Sequence, residues 1–162
     1  MDARITLQRQ YAPDLWTEIL PLLHEHKEEI AHYPDIELAP DVEAYNHAEG
    51  AGVLRCYTAR VNGALMGYAV FFVKRNMHYR HSLQAVQDVL FVTKSHRHGR
   101  VGLQLIRYSE EQLRAEGVQV VYQHLKLAIP QTIALFHKLG YEDIDLIVGK
   151  RLDRVASPST PE

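Results

Sequence analysis

One stretch, Gln87–Leu105, constrains the fold of this chain more than any other. Its first part alternates in polarity, which predicts a strand with Asp88, Leu90 and Val92 on one face. A basic loop follows, and from Val101 onward apolar residues recur at the spacing of an amphipathic helix. A strand that leads through such a loop into a helix places the free amides of the helix start beside the end of the strand.

The loop and the helix start together predict an anion-binding site. First-turn N–H groups have no partner within the helix, and the helix dipole favours negative charge there. Gly99 and Gly102 let an anion approach the backbone closely. Lys94, Arg97 and Arg100 add positive charge, although a solvated basic loop without a ligand would have the same composition.

The spacing of the loop excludes two common phosphate-binding motifs. It lacks the Gly-Lys-Ser/Thr end of a Walker loop and the three glycines of the dinucleotide fingerprint. It resembles the acetyl-CoA loop of the GNAT family of N-acetyltransferases, which runs Arg/Gln, two residues, Gly, one residue, then Gly or Ala. Arg97 and Gly102 fall on the outer positions, Arg100 replaces the middle glycine, and Gly99 lies one place earlier. In this loop and in its compact size, the chain resembles phage-type and prophage-encoded members.

A second motif downstream strengthens the resemblance. The segment Ala134–Tyr141 reads Ala-Leu-Phe-His-Lys-Leu-Gly-Tyr and is similar to the family pattern Ala-Leu-Tyr-Glu-Lys-Leu-Gly-Phe. Two positions depart from the family: Phe136 replaces the tyrosine that usually supplies an acid, and Ile129 replaces a cofactor-binding asparagine.

Composition excludes several other classes of protein. A chain of 162 residues fits one domain with its own core, and a net charge of −2 gives no general reason to bind nucleic acid or an anionic membrane. The chain has no apolar run long enough to span a bilayer and no signal-peptide core at its N-terminus. The single cysteine, Cys56, predicts a buried, inert thiol and fits a cytoplasmic location.

The order of elements predicts an α+β fold with a mixed, mostly antiparallel central sheet flanked by helices, in a single domain over residues 1–152 with a flexible tail at 153–162. This is also the order of elements in the GNAT fold. Pro13 should open the first helix and Pro21 should kink or split it, while Asn62-Gly63 predicts a two-residue hairpin. The predicted strands are 4–9, 53–60, 65–73, the central strand, 118–122 and 141–152; the predicted helices start at 13 and 40, run from the loop to 116, and span 130–139.

The resemblance implies that acetyl-CoA is the cosubstrate and lies in a notch between the central strand and a strand at 118–125. The pantetheine arm would pair with the main chain near Leu90 and Val92, and the pyrophosphate would rest on amides from Arg97 to Leu103. The implied cofactor-binding residues are Leu90, Phe91, Val92, Arg97, His98, Gly99, Arg100, Val101, Gly102 and Leu103.

The resemblance also implies direct attack of an amine on the thioester, which requires a base and tolerates or requires an acid. Asp88 matches an acidic base of some family members, but it could equally be a strand-end carboxylate paired to an arginine. His124 could act through a water or simply cap a strand end. For the acid, Tyr141, His137 and solvent all remain open, as does the absence of any acid.

The predicted function is N-acetylation of a primary amine on a small molecule or peptide, in a pocket walled by the first two helices, the loop 78–82 and the last hairpin. The alternative, which Phe136 motivates, is a non-catalytic acetyl-CoA-binding module that acts through a protein partner. The basic loop lacks interleaved aromatic residues, so nucleic acid is disfavoured as a partner. No metal is expected, because the ten histidines form no convergent motif. The oligomeric state stays open, a homodimer included.

Overall fold

The computed structural model describes residues 4–97 and 99–153. His98 lies outside the described residues, and so does the predicted tail apart from Asp153. The chain divides into two compact units, one ending at His124 and the other beginning at Leu125.

The first unit is built on a single five-stranded sheet whose strand order follows the chain. The first four strands pair antiparallel with their neighbours, and the fifth pairs parallel with the fourth. This confirms the predicted mixed, mostly antiparallel sheet. The strands are β1 (Ile5–Gln10), β2 (Leu54–Val61), β3 (Ala64–Arg75), β4 (Leu83–Val92) and β5 (Val120–Tyr122); the helices of this unit are α1 (Trp16–Ile30), α2 (Val42–Gly50) and α3 (Val101–Ala115).

Alternation along the strands gives the sheet two apolar faces. One face packs against α3, whose buried residues recur at helical spacing as Val101, Leu105 and Leu113. The other face packs against α1 and α2, with Leu15 and Ile19 buried over β2 and β3. β2, β3 and β4 therefore contribute side chains to both layers of the core, and the two layers place different helices beside the two faces of β4.

The turn between β2 and β3 confirms the predicted hairpin. Asn62 and Gly63 both have positive φ, at 50° and 90°, as a two-residue hairpin turn of this type requires.

The first helix differs from its prediction. Pro13 lies in a short 3-10 turn, Ala12–Asp14, and α1 then runs from Trp16 through Pro21 to Ile30 without a break. The predicted split at Pro21 is therefore wrong, while the alternative, a kink at Pro21, stays a prediction. Pro21 and Thr17 are both exposed, so water can satisfy the Thr17 carbonyl that the proline leaves without a donor.

The second unit contains α4 (Pro130–Lys138), which ends near Gly140 with φ 91°. The predicted last strand over 141–152 is wrong: this segment is irregular, and no described residue forms a ladder with it. Ile144, Leu146, Ile147 and Val148 are between 64% and 83% exposed. Alternation predicts an extended backbone, but a strand also needs a partner edge.

Gly67 in β3 is closely packed by β4 and α3. A Cβ atom added there would lie 3.0 Å from the Phe91 carbonyl oxygen and 3.1 Å from Val92 Cγ2. Because the first neighbour is backbone, Gly67→Ala should destabilise the fold by about 1–3 kcal/mol. For a chain of this length, the melting temperature should fall by roughly 2–4 °C per kcal/mol. Calorimetry of Gly67→Ala against wild type measures this, and an unchanged melting temperature would contradict the close packing.

Candidate active site

A β-bulge in β4 determines where Asp88 points. Val70 on β3 pairs with Val89, but the next residue, Phe71, pairs with Gln87, so Asp88 is an extra residue in the ladder. A bulge changes which face the following side chains occupy. Leu83 and Ala85 pack toward α3 before it, and Leu90 and Val92 do so after it.

The bulge overturns the prediction that Asp88 shares a face with Leu90 and Val92. The carboxylate lies on the opposite face, beside Val89, where Tyr45 of α2 donates a hydrogen bond to Asp88 Oδ2 at 2.6 Å. Desolvation by burial, followed by the hydrogen bond and charge of Asp88, raises the pKa of the Tyr45 hydroxyl. The alternative that Asp88 pairs with an arginine finds no support among the described contacts, where its hydrogen-bond partner is Tyr45.

A cavity opens on this face of the sheet. Its walls come from the first half of α1, from α2 and from three strands, while no residue of the loop 78–82 lines it. The predicted walls of the acceptor pocket, namely the first two helices, the loop 78–82 and the last hairpin, stay a prediction. The lining residues are Ala12, Trp16, Ile19, Leu23, Tyr45, Cys56, Tyr68, Val70, Asp88 and Val89.

Two aromatic residues fix the helical wall of this cavity. The indole N–H of Trp16 donates to Asn46 Oδ1 at 2.9 Å, which joins α1 to α2. The Trp16 and Tyr45 rings meet edge to face with centroids 5.3 Å apart. Trp16 therefore forms part of the cavity wall.

Cys56 forms part of the cavity wall but is only 2% exposed. Burial, followed by the nearby charge of Glu49, raises the pKa of its thiol to about 12. Because the thiolate is the reactive form, we expect Cys56 to resist thiol reagents at neutral pH in the native state and to react fully in denaturant. Absorbance after addition of Ellman's reagent measures both rates. Native labelling as fast as in denaturant would contradict the burial.

At the edge of β4 away from β3, β5 is the only strand that pairs among the described residues. β5 pairs with Gln84, Ala85 and Val86 and then ends. Beyond this point the side chain of Gln87, 7% exposed, accepts the His124 N–H at 3.0 Å through its Oε1 atom. The strands thus part after Val86, and a side-chain amide replaces the ladder at the fork.

Main-chain groups of β4 beyond the fork face this open edge. Thr93 donates its N–H to the Met66 carbonyl of β3 at 2.8 Å, so the polar groups of Val92, one residue earlier, point the other way. The same alternation directs the N–H and C=O of Leu90 to the open edge. Arg97 occupies the Val92 carbonyl, donating from Nε at 2.7 Å.

The start of α3 lies in sequence directly beyond this edge. No side chain among the described residues caps it, and its first turn contains no acidic residue. A Cβ added at Gly102 would lie 3.6 Å from Val92 Cγ2, an ordinary contact, so the glycine is not needed for packing. Arg100 precedes the helix and is exposed.

Sequence reasoning missed Glu29, which α1 brings to the loop. Its Oε2 atom lies 2.5 Å from Arg97 Nη1, and its Oε1 atom lies 3.5 Å from Lys94 Nζ. The guanidinium of Arg97 also lies over the Phe91 ring, 5.5 Å from its centroid. Two of the three loop cations are therefore partly neutralised by a carboxylate that is distant in sequence.

The ion pairs of Glu29 with Arg97 and Lys94 should affect the stability of the protein in acid. Burial by itself raises the pKa of the Glu29 carboxyl, but Arg97 and Lys94 outweigh it and hold the pKa below its usual 4.5. A lowered pKa stabilises the fold above about pH 4.5, and the contribution is lost as pH falls through the folded-state value. Glu29→Gln should cost about 1 kcal/mol at pH 7 and should flatten the fall in stability below pH 4.5.

Thermal unfolding between pH 3 and 7 measures this effect. Glu28→Gln removes the same charge from the adjacent, exposed position and is the matched control. Equal stability profiles for the two variants would contradict the role of the cluster.

The two remaining predicted catalytic residues, His124 and Tyr141, belong to different units. His124 ends the first unit with an exposed side chain, and its main-chain N–H is the group that contacts Gln87. Tyr141 lies in the second unit, where its ring meets Phe136 edge to face at 5.0 Å. His137, the other candidate acid, pairs with Asp143 at 2.8 Å.

Residues 4–97 and 99–153 contain neither a metal site nor a membrane-spanning helix. No group of three or more His, Cys, Asp or Glu side chains converges as metal ligands would. Within the same ranges, none of the helices has the length and hydropathy required to cross a bilayer.

Comparison with models of protein families shows which family this chain belongs to. The model of the acetyltransferase (GNAT) family matches residues 15–141, a range that contains every helix from α1 to α4. The chain belongs to the GNAT acetyltransferase family. Its enzyme class is thus acetyl-CoA-dependent N-acetyltransferase, as the two motifs predicted. No curated protein sequence matches it.

Solved structures share the GNAT fold at low identity. An aminoglycoside acetyltransferase from an uncultured soil metagenomic sample, in complex with trehalose, has a TM-score of 0.73 at 16% identity, covering 91% of this chain and 96% of that one. Ribosomal-protein-alanine N-acetyltransferase from Brucella melitensis biovar Abortus 2308 has a TM-score of 0.64 at 15%, covering 90% and 100%. An aminoglycoside N-acetyltransferase in complex with CoA has a TM-score of 0.63 at 16%, covering 93% and 96%.

Proposed function

We propose that this protein transfers the acetyl group of acetyl-CoA to a primary amine, on a small molecule or a peptide, by direct attack of the amine on the thioester. One observation carries the proposal: β4 and β5 part after Val86, and the open edge of β4 leads to an uncapped helix start. An extended chain with amide groups and a diphosphate, as in CoA, fits an open strand edge followed by free amides.

The open edge has unused main-chain groups where the pantetheine arm would pair. The N–H and C=O of Leu90 and the N–H of Val92 are directed there, while Arg97 takes the Val92 carbonyl. The diphosphate would rest on first-turn amides of α3, from Val101 to Leu103, with Arg100 beside it. The sequence-predicted set of cofactor-binding residues, His98 included, stays a prediction.

Arg97 has a second role in this proposal. Its contacts with Glu29 and the Val92 carbonyl hold the loop against β4, so it positions the amides in addition to offering charge to the diphosphate. Arg100, which is exposed at the helix start, is then the stronger candidate for direct pairing with the ligand.

The chemical step needs a proton acceptor on the amine side. Asp88 would take the first proton from the ammonium, and the free amine would attack the thioester carbon. The nitrogen would then lose its second proton to solvent as the carbon–sulfur bond breaks and releases the CoA thiolate. A strand N–H near Val92 would stabilise the oxyanion. His124, acting through a water, stays the second candidate base, and Tyr141 stays the candidate acid that protonates the thiolate.

Release of free CoA thiol measures the proposed reaction directly. The test supplies acetyl-CoA with a panel of monoamines, diamines, aminoglycosides and peptides, and mass spectrometry identifies the acetylated product. Thiol release that requires an amine, with one acetyl group on the product nitrogen, is expected. Binding of acetyl-CoA without turnover of any amine would instead support the binding-module alternative, for which Phe136 at the usual tyrosine position remains the motive.

The kinship to phage-type members and a homodimeric assembly also stay predictions. Neither bears on the chemistry proposed here.

A further inference from the structure

The cavity on the α1 and α2 side of the sheet has an unusual composition for the pocket of a polar substrate. Asp88 is the one charged residue among the described residues that line it. The other walls are aliphatic or aromatic, apart from the phenol hydroxyls and the Cys56 thiol. Such a pocket can neutralise one positive charge of a ligand, and the rest of the ligand must be apolar to fit the remaining walls.

A buried hydroxyl in the same cavity has no hydrogen-bond partner among the described residues. Tyr68 is 1% exposed, and its hydroxyl forms no hydrogen bond with any residue that the structure describes. Desolvation raises the pKa of this phenol, so it stays a neutral donor and acceptor. Because buried polar groups are nearly always paired, the unpartnered hydroxyl indicates a place for a polar ligand atom.

The polar groups of the cavity are thus arranged for a single cation. Tyr45 occupies Asp88 Oδ2, and no bond to Oδ1 is recorded from the described part of the chain. The rings of Trp16 and Tyr45 stand together on the wall, held by the bond from Trp16 to Asn46. Aromatic faces attract an ammonium group and also pack against carbon.

We propose that the acceptor is a primary monoamine with a compact apolar body, whose ammonium group meets Asp88 and Tyr68 and whose carbon skeleton lies among Trp16, Leu23 and Val89. This inference rests on the proposed function and adds the class of acceptor. A polycation would place its further ammonium groups against apolar side chains without a partner, which is costly.

A matched pair of substrates tests the charge requirement. Pentylamine and 1,5-diaminopentane have the same carbon chain and differ by one terminal amino group. We expect the kcat/KM of pentylamine to exceed that of the diamine by at least tenfold, and phenethylamine to exceed glucosamine by a similar factor. Sisomicin and an alanine-terminated peptide complete the panel.

Variants test which residues select the acceptor. Trp16→Ala should raise the KM for phenethylamine at least tenfold while leaving the KM for acetyl-CoA unchanged, and Tyr68→Phe should raise the amine KM alone. Met77→Ala, at a 95% exposed position outside the cavity, is the control. Circular dichroism confirms that each variant is folded.

The outcomes separate this inference from the proposed function. Efficient acetylation of sisomicin, the diamine or the peptide, with monoamines slower or inert, would overturn the inference and leave the proposed function standing. No acetylation of any amine would overturn both. Equal effects of Trp16→Ala on all acceptors would also count against the inference, because the side chain would then support the fold and not the choice of substrate.

Discussion

Acetyl-CoA at about one hundred times its dissociation constant should stabilise the wild-type protein by about 2.7 kcal/mol. For a chain of this length, that corresponds to a rise in melting temperature of roughly 5–10 °C. Gly102→Trp should abolish the rise, because an indole at the first turn of α3 would fill the space in front of the amides. Differential scanning fluorimetry across a concentration series measures the effect.

Gly102→Ala is the control for this experiment. Its added methyl would lie 3.6 Å from Val92 Cγ2, an ordinary contact, so the fold should tolerate it and the response to acetyl-CoA should largely persist. A full response in Gly102→Trp would show that the ligand does not use the helix start. The absence of any response in wild type would remove support for the site itself.

Asp88→Asn should lower the kcat/KM of the acetyl transfer by roughly 10²–10⁴-fold, the usual contribution of a positioned general base. The amide keeps the shape of the side chain and can still accept the Tyr45 hydrogen bond, but it cannot take the proton of the ammonium. Steady-state thiol release with a saturating concentration of acetyl-CoA measures the loss.

Two further measurements make this result specific to Asp88. The thermal response to acetyl-CoA should be retained in Asp88→Asn, because the carboxylate lies on the face opposite to Leu90 and Val92. His124→Ala should cost much less than Asp88→Asn if the carboxylate is the base. The reverse order of effects would assign the base to His124 and contradict the role of Asp88.

The fold was predictable from the sequence where local chemistry determines local structure. Asn62-Gly63 marks a turn that needs positive φ at both positions, and the structure has it. Alternation and helical spacing placed β2, β3, β4 and α3 correctly, with ends displaced by a few residues. The glycine loop led to the family because its amides, and not particular side chains, define the motif.

The active site was less predictable because its arrangement depends on contacts distant in sequence. Alternation assigned Asp88 to the face of Leu90, and only pairing with β3 reveals the extra residue that turns it to the other side. In the sequence, three strands lie between Glu29 and Arg97, and no local pattern links the two residues. The segment 141–152 has the polarity of a strand, yet pairing is a property of two segments and cannot be read from one.

The extra residue in β4, Asp88, is not needed for the pairing of this strand with β3. Removing residue 88 would restore an uninterrupted ladder with β3, and every other side chain of the strand would keep the side of the sheet it has now. The ladder therefore does not require that position, and its side chain can line the cavity without a change in the core. The extra residue thus places a carboxylate beside the apolar cavity, while the pairing of β3 with β4 does not depend on it.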